Sequence, residues 1–196
     1  MYKKQMVVQK ILCFAALIIG AIIFVYSLGI MTDLYEALYP VRNSADPEKT
    51  KVAGTIVYYN MQGFNKQFLL AGIGMILLGV LLFITNTHVR RKYYIGNYVS
   101  VAAYSAAGLV LTVWAHAQIE YYKAQFLQVD FEALKAYAED WKTYYTDSTF
   151  WFDIHYLVFG LLVVIIIALI ANVFWKRSLM KAEQELINRG KEAAAS

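Results

Sequence analysis

Four long runs of apolar residues constrain this chain more than any other feature of its sequence. They cover residues 11–30, 68–85, 95–117 and 154–175, and none of them contains Asp, Glu, Lys or Arg. A helix needs about 20 residues to cross a hydrocarbon layer about 30 Å thick, because each residue adds about 1.5 Å. Each run can therefore cross a membrane once. The first run is longer than the apolar core of a signal peptide, so we expect it to be retained.

The composition supports a membrane protein. Hydrophobic residues make up 60% of the chain and charged residues 16%, whereas soluble proteins average about 45–50% and about 25%. The sequence therefore predicts an all-α membrane protein, a single membrane domain over residues 1–196 in which four transmembrane helices form a bundle. Cys13 is the only cysteine, which excludes an intrachain disulfide and a four-cysteine zinc site.

The distribution of Lys and Arg predicts the orientation of the chain. If the N-terminus is cytoplasmic, the inner segments carry eleven cations and three acids, and the outer loops 31–67 and 118–153 carry seven cations and eleven acids. Cytoplasmic segments next to membrane spans are enriched in Lys and Arg. We therefore expect a multi-pass protein of the plasma membrane with both termini in the cytoplasm. The net charge of +4 gives no reason to expect nucleic-acid binding, since it follows from this topology.

The first outer loop contains both prolines of the chain, Pro40 and Pro47. Asp33 and Glu36 have the spacing of a helix N-terminal capping box, and Pro40 is a helix stop, so the sequence predicts one short helix here. Residues 52–61 fit either a brief strand or an irregular segment.

The second outer loop contains an amphipathic helix that begins after Asp130. Its apolar residues recur at helical spacing, with charged residues mostly on the other side. This stripe needs a cover, which the first outer loop, the ends of the spans, lipid headgroups or a partner protein can provide. The third span can continue as helix beyond the bilayer, so that both loops form a small extracytoplasmic helical cap. The stripe consists of Phe131, Leu134, Tyr137, Ala138, Trp141, Tyr144 and Tyr145, and the candidate partner-binding residues among them are Phe131, Leu134, Tyr137, Trp141 and Tyr144.

The segment 176–196 is rich in strong helix formers. It places Leu179, Leu186 and Ile187 on one face, so the fourth helix should continue into the cytoplasm as a helical tail that suits helix-in-groove binding. Gly190 is the predicted stop.

Two histidines and two carboxylates lie near the outer ends of the third and fourth spans. His116 and Glu120 are four residues apart and share a helix face, while Asp153 and His155 open the fourth helix. If the helices touch, these side chains suit a transition metal, and the two histidines suit the axial positions of a b-type haem. The structural alternative is a helix-capping Asp153 with histidines that form hydrogen bonds at a wet interface.

The polar residues inside the spans are concentrated in the third helix, which should therefore face the bundle interior. A third helix that lined a pore between copies of the chain would instead indicate a small homo-oligomeric channel. Small residues allow close helix packing, and we expect this role for Ala16, Gly20, Gly72, Gly79, Ala103 and Ala107.

No nucleophile motif or phosphate-binding loop is present in the sequence. Our leading hypothesis is a non-catalytic accessory protein or subunit that needs no cofactor. Its partners would be the lipid bilayer and either other membrane proteins, in a transporter, secretion or envelope complex, or further copies of itself. The alternatives are a metal- or haem-binding redox protein and the channel.

Overall fold

The computed structural model of the protein describes residues 2–43, 45–46, 49–88 and 95–195. Six α-helices and one 3₁₀ turn occupy most of these ranges. In chain order they are α1 Tyr2–Leu38, the 3₁₀ turn Tyr39–Val41, α2 Val57–His88, α3 Ile95–Phe126, α4 Phe131–Trp141, α5 Phe150–Asp153 and α6 His155–Ala195.

Four of these helices, α1, α2, α3 and α6, are long and apolar enough to cross a membrane. This confirms the prediction of an almost entirely helical chain with four candidate spans. The ranges described above contain no β-strand, only one isolated bridge between Arg42 and Thr50.

The four long helices pack side by side. α1 contacts α2 and α6, and α3 contacts the same two helices. The start of α1 and the end of α6 lie at one end of this arrangement, which we call the terminal end. The described residues of 39–56 and the segment 127–149 lie at the other, which we call the loop end. The cations Arg90, Arg91 and Lys92, which contribute to the predicted orientation, lie outside the described residues.

The long helices extend beyond the apolar runs. The short helix predicted around residues 33–40 is the end of α1, because Leu34, Ala37 and Leu38 are buried and keep the chain helical up to the 3₁₀ turn that contains Pro40. Residues 52–61 do not form a strand, because Val57, Tyr58 and Met61 are buried at helical spacing in the first turns of α2.

The helix predicted after Asp130 is α4. The Asp130 carboxylate caps it by accepting a hydrogen bond of 3.0 Å from the Ala133 backbone amide. α4 ends at Trp141, where Lys142 adopts a left-handed conformation with φ of 50°, so Tyr144 lies beyond the helix. α6 does not stop at Gly190 as predicted but continues to Ala195.

The two segments at the loop end touch each other directly. The Asp130 backbone amide donates a hydrogen bond of 3.1 Å to the Ala53 carbonyl oxygen. Gly54 has φ of +81°, and a Cβ atom there would lie 2.7 Å from the Cα atom of Val129. Only glycine tolerates both the positive φ and this close approach. The start of α4 is therefore fixed against the segment before α2.

Candidate functional site

Two helices bring a pair of histidines and a glutamate together near the loop end. His116 and Glu120 lie one turn apart on α3, and His155 is the first residue of α6. His116 Nδ1 is 2.8 Å from His155 Nε2, and Glu120 Oε1 is 3.8 Å from the same nitrogen. One ligand atom from each side chain lies within 4.8 Å of the others. We call these three residues the histidine cluster.

The backbone fixes the orientation of His155. Its side chain is only 1% exposed, and its Nδ1 is hydrogen-bonded to the Phe152 carbonyl oxygen. A carbonyl can only accept, so Nδ1 carries the proton of the neutral ring and Nε2 presents a lone pair. The hydrogen bond between the rings then requires His116 to donate from its own Nδ1. A buried lone pair therefore points at the other two members of the cluster.

The cluster is open on one side. The Tyr156 hydroxyl donates a hydrogen bond of 3.0 Å to Glu120 Oε1, which holds the carboxylate beside the rings. Next to the histidines, α3 and α6 leave a groove with a volume of about 300 Å³. Besides both histidines, the lining residues are Thr112, Tyr156, Phe159, Gly160 and Val163.

Asp153, which the sequence placed in the same set, is not among the residues whose ligand atoms lie within 4.8 Å of one another. One carboxylate oxygen accepts a bond from the Lys123 ammonium at 2.5 Å and the other accepts from the Thr149 hydroxyl at 2.6 Å. Asp153 precedes the apolar run 154–175. The hydrogen bond from Lys123 holds the pKa of this carboxyl below its usual value, and the same bond raises the pKa of Lys123. Asp153 therefore forms an ion pair with Lys123, and this pair links α5 to α3.

The arrangement fits a single ion better than a haem. In bis-histidine haem ligation the iron separates two ligand nitrogens, each about 2 Å away, so the nitrogens lie about 4 Å apart on opposite faces of a flat ring. The nitrogens of His116 and His155 are in direct hydrogen-bond contact at 2.8 Å. A small ion needs only a slight opening of this pair.

A second group of polar side chains is buried at the terminal end, and all four long helices contribute to it. The Gln9 amide donates to the Asn86 backbone oxygen at 2.6 Å, and the Asn86 amide donates to Ser100 Oγ at 3.0 Å. Gln5 donates to Asn172 Oδ1 at 3.2 Å. We call this group the buried polar layer, and it consists of Gln5, Gln9, Thr85, Asn86, Asn97, Ser100, Asn172 and Lys176.

Lys176 is the charged member of the buried polar layer. It is buried, and its ammonium donates to the Asn97 side-chain oxygen at 3.2 Å when that amide is turned to face it. Sequence reasoning identified the layer only in part, because Gln5, Gln9, Asn86 and Lys176 lie outside the apolar runs. The four-residue spacing of the two glutamines was the available signal, since it places both on one face of α1.

The apolar stripe of α4 is covered largely by the chain itself. Leu134 is buried, Phe131 packs edge-on against Phe126 at the end of α3, and the Tyr137 hydroxyl donates to the Pro40 carbonyl oxygen at 2.9 Å. Trp141 remains 64% exposed. Tyr144, beyond the helix, donates to the Asp33 carboxylate at 3.0 Å.

The end of α6 is covered least. Residues 181–190 are all exposed, and Leu179 is half-buried. Leu186 is 69% exposed and Ile187 is 47% exposed. Of the residues predicted for partner binding, Leu186 is the most exposed, ahead of Trp141 at 64%, and Ile187 is as exposed as Tyr144 at 47%.

The residues predicted for helix packing lie mainly between α1 and α2. A Cβ atom added at Gly20 would lie 3.1 Å from Met75. One added at Gly72 would lie 3.0 Å from Phe24, and one added at Gly79 would lie 3.1 Å from Leu17. Such distances are tighter than ordinary contacts, so α1 and α2 approach closely at their glycines. Of the alanines, Ala16 is fully buried, Ala103 is half-buried and Ala107 packs against the core.

Comparisons with known proteins add no assignment to this geometry. No protein-family model, curated protein or solved structure matches the chain.

Proposed function

We propose that this chain is a non-catalytic accessory protein of the plasma membrane, with both termini in the cytoplasm, which binds a partner membrane protein through the end of α6. The exposure of Leu186 and Ile187 on this helix carries the proposal. An apolar helix face in water costs free energy unless another surface covers it. Most of the α4 stripe packs against the chain, with Trp141 and Tyr144 as the exposed exceptions, whereas residues 181–190 of α6 are all exposed.

The position of this helix favours a partner that is itself bound to the membrane. The apolar run ends at Trp175, and Ile187 follows twelve residues later. At about 1.5 Å per residue, the exposed face lies within about 20 Å of the bilayer. A membrane-bound subunit of a transporter, secretion or envelope complex can contact this helix face with a cytoplasmic surface that lies at the same distance from the bilayer.

Charge defines the chemistry of the partner surface. Leu179 and Leu186 are seven residues apart and lie on one face of α6. In helical projection, Glu183 lies about 60° from Leu186 on one side, between Leu186 and Ile187, and Arg189 lies about 60° from Leu186 on the other side. The complementary surface is therefore an apolar groove with an acidic residue opposite Arg189.

The burial of α3 does not favour a channel between copies of the chain. Asn97, Ser100 and Ser105 are all buried within one chain. We therefore do not propose that α3 lines a pore.

Site-specific crosslinking in cells tests the proposal. A photoreactive amino acid replaces Leu186 in one variant and Asn188 in the other, and Asn188 lies on the opposite face of the same exposed helix. We expect an adduct with one membrane protein from position 186 only, and a reduced yield of this adduct when Arg189→Glu is added. An adduct with a second copy of this chain, equal adducts from both positions, or no adduct would each contradict the proposal.

A further inference from the structure

We propose that His116, Glu120 and His155 form a binding site for one divalent transition-metal ion, with Zn²⁺ as its representative. The site joins the ends of α3 and α6 at the loop end, which the proposed orientation places outside the cell. This inference is independent of the partner-binding proposal, because it concerns different residues at the opposite end of the molecule.

The spacing of the donor atoms supports a shared ion. Zn²⁺ binds His nitrogen and carboxylate oxygen at about 2.0–2.2 Å in a tetrahedral arrangement, so two of its ligand atoms lie about 3.3 Å apart. The distances from His155 Nε2 are 2.8 Å to His116 Nδ1 and 3.8 Å to Glu120 Oε1. Shifts of about half an ångström at the half-exposed Glu120 and the exposed His116 bring both distances to this value.

The protonation of the rings is compatible with binding. His155 already presents the lone pair of Nε2, because the Phe152 carbonyl holds the proton on Nδ1. His116 now donates from Nδ1 to that lone pair. To ligate through Nδ1 the exposed His116 ring loses this proton and takes up another on Nε2, which leaves the ring neutral. Binding therefore replaces one hydrogen bond with two metal–nitrogen bonds and releases no net proton.

The surroundings supply the remaining features of a metal site. The Tyr156 hydroxyl donates a hydrogen bond that orients the Glu120 carboxylate, and metal ligands in proteins are commonly oriented by such hydrogen-bond partners. The groove of about 300 Å³ beside the histidines leaves room for a water molecule as fourth ligand. Two imidazoles and one carboxylate favour Zn²⁺, Cu²⁺ or Fe²⁺ over Mg²⁺ and Ca²⁺, which prefer sets made only of oxygen.

Calorimetry on the purified protein tests this site. The full chain is prepared without a histidine tag, treated with a chelator and titrated with Zn²⁺, with Mg²⁺ as the comparison ion. We expect one Zn²⁺ per chain, no comparable binding of Mg²⁺, and a rise of the unfolding temperature with Zn²⁺ concentration, because the ion binds the folded state. Absence of Zn²⁺ binding would overturn the proposal.

Variants distinguish this site from adventitious binding. His116→Asn and Glu120→Gln should each weaken Zn²⁺ binding by about a hundredfold or more, and Tyr156→Phe should weaken it less, by about tenfold. His88→Asn is the matched control, since His88 ends α2 at the terminal end, and it should leave the affinity unchanged. Unchanged affinity in both His116→Asn and Glu120→Gln, or an equal loss in His88→Asn, would contradict the assignment. An unfolding temperature measured without metal identifies any variant that fails to fold.

Discussion

The hydroxyl of Tyr104 on α3 donates a hydrogen bond of 2.9 Å to the backbone carbonyl oxygen of Ala16 on α1. Both residues are fully buried. The main contacts of α1 and of α3 are with α2 and α6, so this bond crosses the diagonal of the helix arrangement. It fixes the position of α3 along the axis of α1, and these two helices otherwise make few contacts with each other.

Removal of this diagonal hydrogen bond should destabilise the protein modestly. Tyr104→Phe keeps the ring and deletes only the donor, and hydrogen bonds between helices in membranes contribute about 0.6 kcal/mol on average and at most about 1.7 kcal/mol. We expect a loss within this range in unfolding experiments in detergent micelles. A variant as stable as the wild type would show that the bond contributes nothing.

The close approach of α1 and α2 predicts opposite effects at two neighbouring glycines. A Cβ atom at Gly72 would lie 3.0 Å from the Phe24 Cα, whereas nothing lies within 4 Å of one at Gly74. Gly72→Ala should destabilise by about 1–3 kcal/mol, because the backbones must separate. Gly74→Ala, its matched control, should be neutral or stabilising by up to about 1 kcal/mol, since alanine favours the helix. Equal effects would refute this packing.

Replacement of Asn86, which links three helices in the buried polar layer, should destabilise the protein. The Asn86 side chain on α2 accepts from Gln9 on α1 at 3.3 Å through Oδ1 and donates to Ser100 on α3 at 3.0 Å through its amide. Asn86→Leu leaves polar partners buried without it, at a cost of about 1–3 kcal/mol. Thr87→Ala is the control, because the Thr87 hydroxyl bonds to the Phe83 carbonyl within its own helix. If both variants lose the same amount of stability, the hydrogen bonds between helices in this layer do not contribute more than one within a single helix.

The ion pair of Asp153 and Lys123 predicts a dependence of stability on pH. The pKa of Asp153 lies below its ordinary value of 3.8 in the folded protein. The unfolded chain therefore takes up a proton first, and the contribution of the pair is present above pH 3.8 and is lost as the pH falls through the folded pKa. Asp153→Asn should remove this part of the acid destabilisation, measured as the difference from the wild type.

The control for this pH effect is Glu139→Gln, which changes an exposed carboxylate of α4. It should keep the acid destabilisation of the wild type. If Asp153→Asn retained the same pH profile as Glu139→Gln, the ion pair would not contribute to stability.

The sequence predicted the features that depend on long apolar runs or on local helix signals. Four charge-free runs were sufficient for the four long helices, and the Asp130 cap located the start of α4. Helix ends were less predictable, because tertiary burial decides them. Leu38 and Val57 belong to helices that continue past the apolar runs, since their side chains pack at the loop end.

The candidate site was predictable only up to the point where two helices must meet. The spacing of His116 and Glu120 placed them on one face, and the position of His155 placed it at a similar height. Which carboxylate joins the histidines depends on side-chain partners that are distant in sequence. Lys123, which is thirty residues from Asp153 in sequence, forms a hydrogen bond with it. Tyr156 forms a hydrogen bond with Glu120 and holds this carboxylate beside the rings. Neither partnership has a signature within one segment of chain.

Cysteine labelling on intact cells tests the central claim, that four helices cross the membrane and leave both termini in the cytoplasm. Cys13 is the only cysteine, so Cys13→Ala provides a background for Lys142→Cys at the loop end and Arg189→Cys near the C-terminus, both at exposed positions. A membrane-impermeant maleimide should label Lys142→Cys in intact cells and Arg189→Cys only after the cells are opened. Labelling of Arg189→Cys in intact cells, or recovery of the protein in the soluble fraction without detergent, would contradict the account.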